Sequence, residues 1–343
     1  MQNKLKELVP LFHQPLKDII YGTLNLSETC LKVSQSPVVQ RLKYISQLGY
    51  VGNRLPFISR YEHSLGVAHL SRLAGESLAK NCPEYQITER EITRLELAGL
   101  LHDTGHGLFS HTFDYEFLPQ TKYANHPYHF HEKRSLYLIP MALQNFPLVD
   151  IQWVMHMVEP EDVPCPDEAR SFLGQIVANK VHGMDTDKLD YLARDVAHLQ
   201  LKKYEPMPLC VLTEDQNTVS IVENLKIENN QIVFSHVNKK DIIKKSLLRT
   251  WLHHCVYQHP ETKLLQKRIA KLIPDSLAKS IINPTQFVKH NDLEILNMQQ
   301  PLPEYTKEIS PLKKSQNPLQ MLPLIVFDDH VSIDIELLEK LLP

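Results

Sequence analysis

One stretch near the middle of the chain constrains the fold more than any other, because residues 185–199 have the pattern of a helix with two different faces. Apolar side chains recur there at spacings of three and four residues, which puts them on one side of a helix. They are Leu189, Leu192, Val196 and Leu199. Asp187, Tyr191 and Asp195 recur every four residues and share a polar face. A long amphipathic helix is therefore predicted, with a polar stripe that either faces solvent or lines a site.

The rest of the sequence predicts a mostly α-helical protein. Thr88 and Glu91 have the spacing of a capping box, so a helix is expected from about Thr88 to His102. Similar periodicity predicts helices from about residue 63 and over 132–144, 148–157, 241–258 and 262–272. Short strands are expected at 219–222, 225–227 and 232–234. We expect one large helical domain over residues 1–275, with a short β-like segment near 211–237. A small mixed extension is expected over 276–343, with a strand at 324–327 and a helix at 335–342.

Composition excludes several classes of protein. The formal net charge of −3 argues against a chain whose main partner is nucleic acid, because such binding leaves a basic footprint. The longest apolar run, Met321–Phe327, is far shorter than the roughly 18 residues of a membrane span. The first twenty residues lack the apolar block of a signal peptide. Five scattered cysteines without a CxxC pair are typical of reduced thiols. We expect a cytoplasmic protein, or a nuclear one in a eukaryote, and neither a secreted nor a membrane protein.

Histidines are the residues that point to chemistry. Of 18 histidines, eight lie between His63 and His131, ends included. Histidine binds metals and transfers protons near neutral pH. His102 and Asp103 are adjacent at the predicted end of a helix, where two ligand side chains can reach one cation. A single His–Asp pair is more often structural than functional, so this pair needs partners elsewhere in the chain.

A second polar stripe supports a site. Arg249, His253 and Tyr257 are again four residues apart on a later predicted helix. One stripe offers acidic groups and the other offers cationic and aromatic groups. A solvated surface remains the alternative for each stripe alone, but together they could line a pocket for a phosphorylated ligand that contains a ring.

These residues belong to longer blocks that resemble the HD-domain phosphohydrolases, and within them the deoxynucleotide triphosphohydrolases. The resemblance includes the branch whose members join a sterile alpha motif to the HD domain, although we expect no such motif before the first block. It spans roughly residues 15–275. The matching blocks are Gln40–Gly49, Arg60–Gly66, Ala98–Asp114, His131–Glu132, Asp185–Asp195 and Arg249–His259. It implies a helical HD core with a small β-hairpin and a mixed C-terminal appendage.

The resemblance also implies a ligand set and a reaction. The metal ligands would be His63, His102, Asp103 and Asp187. Two imidazoles and two carboxylates suit Mn, Fe, Mg or Zn alike, and an additional Mg could accompany a triphosphate. The family hydrolyses a dNTP to a deoxynucleoside and inorganic triphosphate.

Further roles carry over position by position. The acid/base group would comprise His106, His111, Asp114 and His131, with His111 and Asp114 as an attractive pair. The triphosphate would meet Arg60, Lys188 and Arg249. The sugar and base would meet Gln47, Leu48, Tyr191, Asp195, His253 and Tyr257.

Two other functions and one regulatory question stay open. The same fold could act on nucleoside monophosphates or cyclic nucleotides, or it could serve as a catalytically silent nucleotide-binding regulator. The resemblance implies a homo-oligomer, a dimer or larger. Members of the branch require GTP as an activator, but Gln14, Gln35 and Lys43 stand here where a lysine, an aspartate and an arginine are expected. We therefore predict no strict GTP requirement.

Overall fold

A computed structural model describes residues 16–51, 58–199, 218–298 and 302–303. Helices dominate this part of the chain, so the predicted fold class is correct. The helices of the first half are α1 (Glu28–Ser34), α2 (Pro37–Gln40), α3 (Arg60–Asn81), α4 (Glu89–Leu101), α5 (His131–Ala142), α6 (Leu148–Val158) and α7 (Gly174–Val177). Those of the second half are α8 (Thr186–Leu199), α9 (Thr218–Glu223), α10 (Lys239–Leu252), α11 (Pro260–Ala270), α12 (Pro284–Phe287) and α13 (Leu293–Leu296).

Tighter and wider helical turns connect several of these helices. Two π-helical turns, Phe113–Phe117 and His253–Tyr257, carry residues of the candidate site. The 3₁₀ segments are Arg41–Tyr44, Pro83–Tyr85, Leu118–Gln120, Glu168–Leu173, His236–Asn238 and Asp275–Ile282.

Capping boxes set the start of the two central helices. Thr88 and Glu91 form the predicted box before α4, and each side chain bonds the backbone N–H of the other. Ser59 and Glu62 form a second box before α3, which sequence analysis missed and which starts that helix at Arg60. Both boxes fix the helix register, and His63 consequently lies in the first turn of α3.

The two sheets are small antiparallel hairpins. Strands β3 (Leu225–Glu228) and β4 (Gln231–Phe234) pair around Asn229 and Asn230, whose φ angles of +50° and +60° suit a tight hairpin turn. The predicted strand at 219–222 is wrong, because these residues lie in helix α9, where Ile221 and Val222 are buried. Strands β1 (Lys17–Asp18) and β2 (Gly22–Thr23) form a hairpin that the sequence did not predict.

Helices α3, α4 and α8 pack as the central unit. Gly99 allows α4 to approach α3 closely, since a Cβ there would lie 2.8 Å from the Val67 carbonyl oxygen. A second apolar cluster joins α11 to the segments that follow it, with Leu265, Ile269 and Ile295 among its buried members. The boundary at residue 275 stays a prediction. The strand and helix expected at 324–327 and 335–342 lie outside the described residues.

None of the helices described here combines the length and the apolarity that a membrane crossing requires.

Candidate functional site

The four predicted metal ligands converge where α3, α4 and α8 meet. His63 Nε2 lies 3.0 Å from Asp187 Oδ1 and 3.5 Å from Asp103 Oδ2. His102 Nε2 lies 3.4 Å from the same Asp103 oxygen and 3.5 Å from the same Asp187 oxygen. These side chains come from the first turn of α3, the end of α4 and the first turn of α8. The sequence resemblance therefore selected residues that the fold brings together.

The hydrogen bonds of the two imidazoles leave one nitrogen of each ring free for an ion. His63 Nδ1 donates to Asp190 Oδ2 at 2.7 Å, and His102 Nδ1 donates to the Gly99 carbonyl oxygen at 2.8 Å. Each Nε2 atom is buried and makes no regular hydrogen bond within the described residues. A histidine bound to a metal through one nitrogen usually donates the other N–H to a carboxylate or a carbonyl. The residues present thus fit a divalent cation.

Electrostatics around this cluster favour ionised carboxylates. Burial would raise the pKa of Asp187, but its close contacts with the His102 and His63 rings hold that pKa well below its usual range. Burial would likewise lower the pKa of His63, but Asp187, Asp190 and Asp103 raise it to about 9. The cluster therefore concentrates negative charge that only a cation, or protons on the histidines, can balance.

Arg60 neutralises part of that charge. Its guanidinium pairs with Asp103 and also donates to Ser110 Oγ at 2.6 Å and to the Gln47 carbonyl oxygen at 3.3 Å. The Arg60 residue is only 3% exposed. The predicted triphosphate contact therefore already has three partners in the protein.

A second cluster of titratable groups lies beside the first. His106 Nε2 lies 3.3 Å from Asp103 Oδ1, and the His106 ring stacks on the ring of His131 with centroids 3.7 Å apart. The rings of His111 and His131 have centroids 5.2 Å apart. Asp114 completes a group whose ligand atoms all lie within 4.8 Å of one another. All four predicted acid/base residues are thus neighbours.

The carboxylate of Asp114 pairs with a different histidine from the one expected. His131 Nδ1 donates to Asp114 Oδ2 at 2.7 Å, and no hydrogen bond joins Asp114 to His111 in the described structure. Arg134 forms an ion pair with the other oxygen. Burial would raise the pKa of Asp114, but Arg134 and His131 lower it far more. The predicted pairing of His111 with Asp114 is therefore corrected to His131 with Asp114.

Side chains of the two polar stripes contact one another beside the candidate metal ligands. Tyr257 Oη donates to Asp195 Oδ2 at 2.5 Å, and the Tyr191 and Tyr257 rings have centroids 6.5 Å apart. Arg249 hydrogen-bonds Tyr191, although burial dominates and raises the pKa of Tyr191 to about 12. His253 is exposed, and its ring lies 6.5 Å from that of Tyr257. The predicted pocket wall thus combines α8 with the end of α10.

Three further predicted contacts have local roles. Lys188 Nζ donates to Asp185 Oδ2 at 2.6 Å, within the same helical turn. Gln47 is buried, and its Oε1 has no hydrogen-bond partner among the described residues. Leu48 is half-buried. The free amide oxygen of Gln47 could accept a hydrogen bond from a ligand hydroxyl or N–H.

Sequence reasoning missed the buried charged residues that contact the candidate site residues. Asp190 and Arg194 lie on α8 but outside its polar stripe, and both are 0–1% exposed. Arg134 on α5 is equally buried. An Asp–Arg pair four residues apart on a helix is typical of a surface salt bridge, so its spacing carried no signal of burial.

Comparisons with known proteins agree with this geometry. Residues 60–199 match the family model described as the HD domain. The chain is 35% identical over 220 residues to deoxynucleoside triphosphate triphosphohydrolase SAMHD1 of Mus musculus, covering 57% of this chain and 32% of that protein. For the Homo sapiens protein the identity is 35% over 215 residues, covering 54% and 33%. A SAMHD1 homolog of Dictyostelium discoideum is 27% identical over 289 residues, covering 81% and 53%.

The chain therefore spans between a third and about half of the length of these curated relatives. The HD match includes all four ligand candidates and the whole second cluster. Residues 60–199 thus match the HD domain, and part of the chain is similar to the deoxynucleoside triphosphate triphosphohydrolases.

Proposed function

We propose that the protein is a metal-dependent dNTP triphosphohydrolase, which converts a dNTP and water to a deoxynucleoside and inorganic triphosphate. One observation carries the proposal. The buried, unpartnered Nε2 atoms of His63 and His102 face two carboxylates, and Asp103 links this set to the second cluster through His106 at 3.3 Å. A metal site that adjoins a set of proton-transfer groups suits hydrolysis of a phosphate ester.

His63, His102, Asp103 and Asp187 would hold the ion. When bound, a divalent ion supplies a Lewis acid for a phosphate oxygen and lowers the pKa of a bound water. The native metal is Mn, Fe, Mg or Zn in this proposal, because the mixed donor set does not select among them.

The second cluster would transfer the proton. Water attacks the α-phosphorus, the bond from phosphorus to the 5′ oxygen breaks, and that oxygen needs a proton to leave. Asp114 holds His131 in one tautomer through Nδ1 and leaves its Nε2 available to a ligand. Burial lowers the pKa of His106 well below its usual range, so the neutral His106 ring supports His131 by stacking. His111 lies at the exposed side of the group.

The cleft residues would select the nucleotide. Asp195 has one buried oxygen, Oδ1, without a partner, which suits a bond from a sugar 3′-hydroxyl. Tyr257 closes against Asp195, and with Leu48 it would leave little room for a 2′-hydroxyl. Arg249, Lys188 and Arg60 would contact the triphosphate, Gln47 the sugar, and Tyr191 and His253 the sugar and base. A homo-oligomer, a dimer or larger, is part of the same proposal.

The decisive experiment identifies the products. The full chain is incubated with each dNTP and each NTP in Mn²⁺ or Mg²⁺, and triphosphate is separated from pyrophosphate and phosphate. Release of triphosphate from dNTPs supports the proposal. Release of phosphate or pyrophosphate, or turnover only of monophosphates or cyclic nucleotides, would point to another HD-type phosphohydrolase. Tight dNTP binding without turnover would point to a silent regulator.

A further inference from the structure

Behind His63 lies a buried carboxylate that the proposed chemistry does not use. Asp190 is 0% exposed and accepts from His63 Nδ1 at 2.7 Å. Arg194 donates to both of its oxygens at 2.9 Å, and Tyr21 Oη donates to Oδ1 at 2.9 Å. A carboxylate held by an arginine fork is ionised and can only accept. The proton of the neutral His63 ring therefore stays on Nδ1, and the lone pair of Nε2 faces Asp187 and Asp103.

The contacts continue from Arg194 to the hairpin at the start of the described chain. Arg194 Nη1 donates to Asp18 Oδ2 at 2.9 Å. The other oxygen of Asp18 accepts from the backbone N–H groups of Ile20 at 2.7 Å and Tyr21 at 3.1 Å, which forms an Asx turn. One aspartate thus shapes the β1–β2 turn and also fixes the guanidinium. The same turn carries Tyr21 to the second oxygen of Asp190.

Space for this arrangement exists because α3 has no side chain at residue 66. A Cβ on Gly66 would lie 2.0 Å from Asp190 Oδ1 and 2.4 Å from Arg194 Nη2. The carboxylate therefore packs directly on the backbone of α3, one turn after His63. Geometry leaves Asp190 little freedom to turn away from the histidine.

We propose that Asp18 and Tyr21 are positioning residues for the metal site, which act through Arg194 and Asp190 to fix the tautomer and orientation of His63. The inference rests on the metal ligands of the proposed function. It assigns a role in ion binding to a hairpin that contributes no ligand. Outer partners of metal-binding histidines commonly alter metal affinity by about 10–100-fold when they are removed.

The test measures ion binding without substrate. Full-length Tyr21→Phe and Asp18→Asn variants are titrated with Mn²⁺ in competition with a chelator. We expect the Kd for Mn²⁺ to rise about 10-fold in each, the low end of the range for outer partners. Lys17→Ala is the matched control, because it removes the exposed bond from Lys17 Nζ to Thr23 Oγ1 at 2.9 Å in the same hairpin. Its Kd should equal that of the parent.

A spectroscopic signature separates positioning from general stability. Nitrogen-15 spectra of the imidazoles in the ion-free protein are recorded above the raised His63 pKa of about 9, where the ring is neutral. They should show His63 protonated at Nδ1 in the parent and in Lys17→Ala. Tyr21→Phe and Asp18→Asn should show a mixture of tautomers, with melting temperatures near that of the control. Parent-like Kd and tautomer in both variants, or an equal loss of affinity in Lys17→Ala, would overturn the inference. A parent that binds no Mn²⁺ would overturn it together with the metal site, whereas Mn²⁺ binding without dNTP turnover would reject only the proposed reaction.

Discussion

Tyr257 and Asp195 are joined by a 2.5 Å hydrogen bond that connects the polar face of α8 to the π-helical turn after α10. Among the described residues, the tyrosine hydroxyl is the one hydrogen-bond partner of the Asp195 carboxylate, because Asp195 Oδ1 has no hydrogen-bond partner. This contact joins two stripes that are 62 residues apart in the sequence. Substitutions at either end should therefore change substrate selection before they change the fold.

Tyr257→Ala should narrow the preference for dNTPs over NTPs, because it removes the ring that would occupy the space beside the sugar. Arg249→Ala should lower kcat/KM for dNTPs by roughly 10- to 150-fold, the equivalent of a lost charge-assisted hydrogen bond. Steady-state rates with matched dNTP and NTP pairs measure both effects. Lys240→Ala, at an exposed lysine on the same helix, is the control and should keep the parent's rates. Unchanged rates and sugar preference in both test variants would contradict the two-stripe pocket.

Asp187→Ala should abolish ion retention and turnover, because the Asp187 carboxylate contacts the two candidate ligand histidines. The fold should persist. Metal content after gel filtration and dNTP turnover measure this outcome. Asp162→Asn serves as the control, since Asp162 pairs with Lys133 at the surface. A variant that keeps stoichiometric metal and the parent's rate would remove Asp187 from the ligand set.

Asp195 should make stability depend on pH. Burial raises its pKa to about 6, above its usual value, although Tyr257 opposes the shift. A raised folded-state pKa gives stability that is fully present below about pH 4 and is lost as pH rises through about 6. Asp195→Asn imitates the protonated form and should remove this dependence. The variant should therefore gain stability over the parent as the pH rises through this range. The difference between their free energies of unfolding should increase by on the order of 3 kcal/mol. Urea unfolding of chelator-treated protein measures the difference, and a constant difference across the range would contradict the assignment.

Substitution of Asp114 should mainly lower the stability of the protein, whereas substitution of His131 should mainly lower its turnover. Asp114→Ala leaves the buried Arg134 guanidinium without its carboxylate and should cost about 3–5 kcal/mol of the free energy of unfolding. His131→Gln keeps that ion pair and should lose turnover with most of the stability retained. Chemical unfolding and single-turnover rates distinguish the two. Full activity in His131→Gln would assign the proton transfer elsewhere.

Regulation offers a further prediction, namely dTTP turnover without added GTP. Gln35 and Lys43 are exposed, and they stand where the sequence resemblance implies an aspartate and an arginine for guanine nucleotide binding. Gln14 lies outside the described residues. Lys43 lies over the Tyr61 ring at 4.8 Å and lacks the planar fork of an arginine. Rates with and without GTP, together with mass by light scattering, test the point. An absence of turnover without GTP, together with tetramers that form only when GTP is present, would show that the substituted site still binds GTP.

The sequence predicted the parts of the molecule that local patterns encode. The capping box at Thr88 and the two faces of residues 185–199 were sufficient to find α4 and α8. The motif resemblance supplied ligand candidates that the fold does bring together. Residues 219–222 were misread, because a short β-branched run does not distinguish a strand from one buried helical turn.

Partners across the tertiary structure could not be predicted. Asp114 is three residues from His111 in the sequence, and that proximity suggested a pair. The fold instead brings His131 and Arg134 from α5 onto the carboxylate. The burial of Asp190 and Arg194 could not be predicted either, because spacing along one helix contains no information about the neighbouring helix that covers it.

The contact between Arg60 and Asp103 would make ion binding a competition between two cations for one carboxylate. An incoming metal ion must displace the guanidinium from Asp103 or share the oxygen with it, so its apparent affinity includes the free energy of that ion pair. A guanidinium released in this way is a buried positive charge that lacks a counter-ion, and an anion in the cleft would supply one. Ion uptake and phosphate binding would consequently be linked, and each should strengthen the other by the same factor.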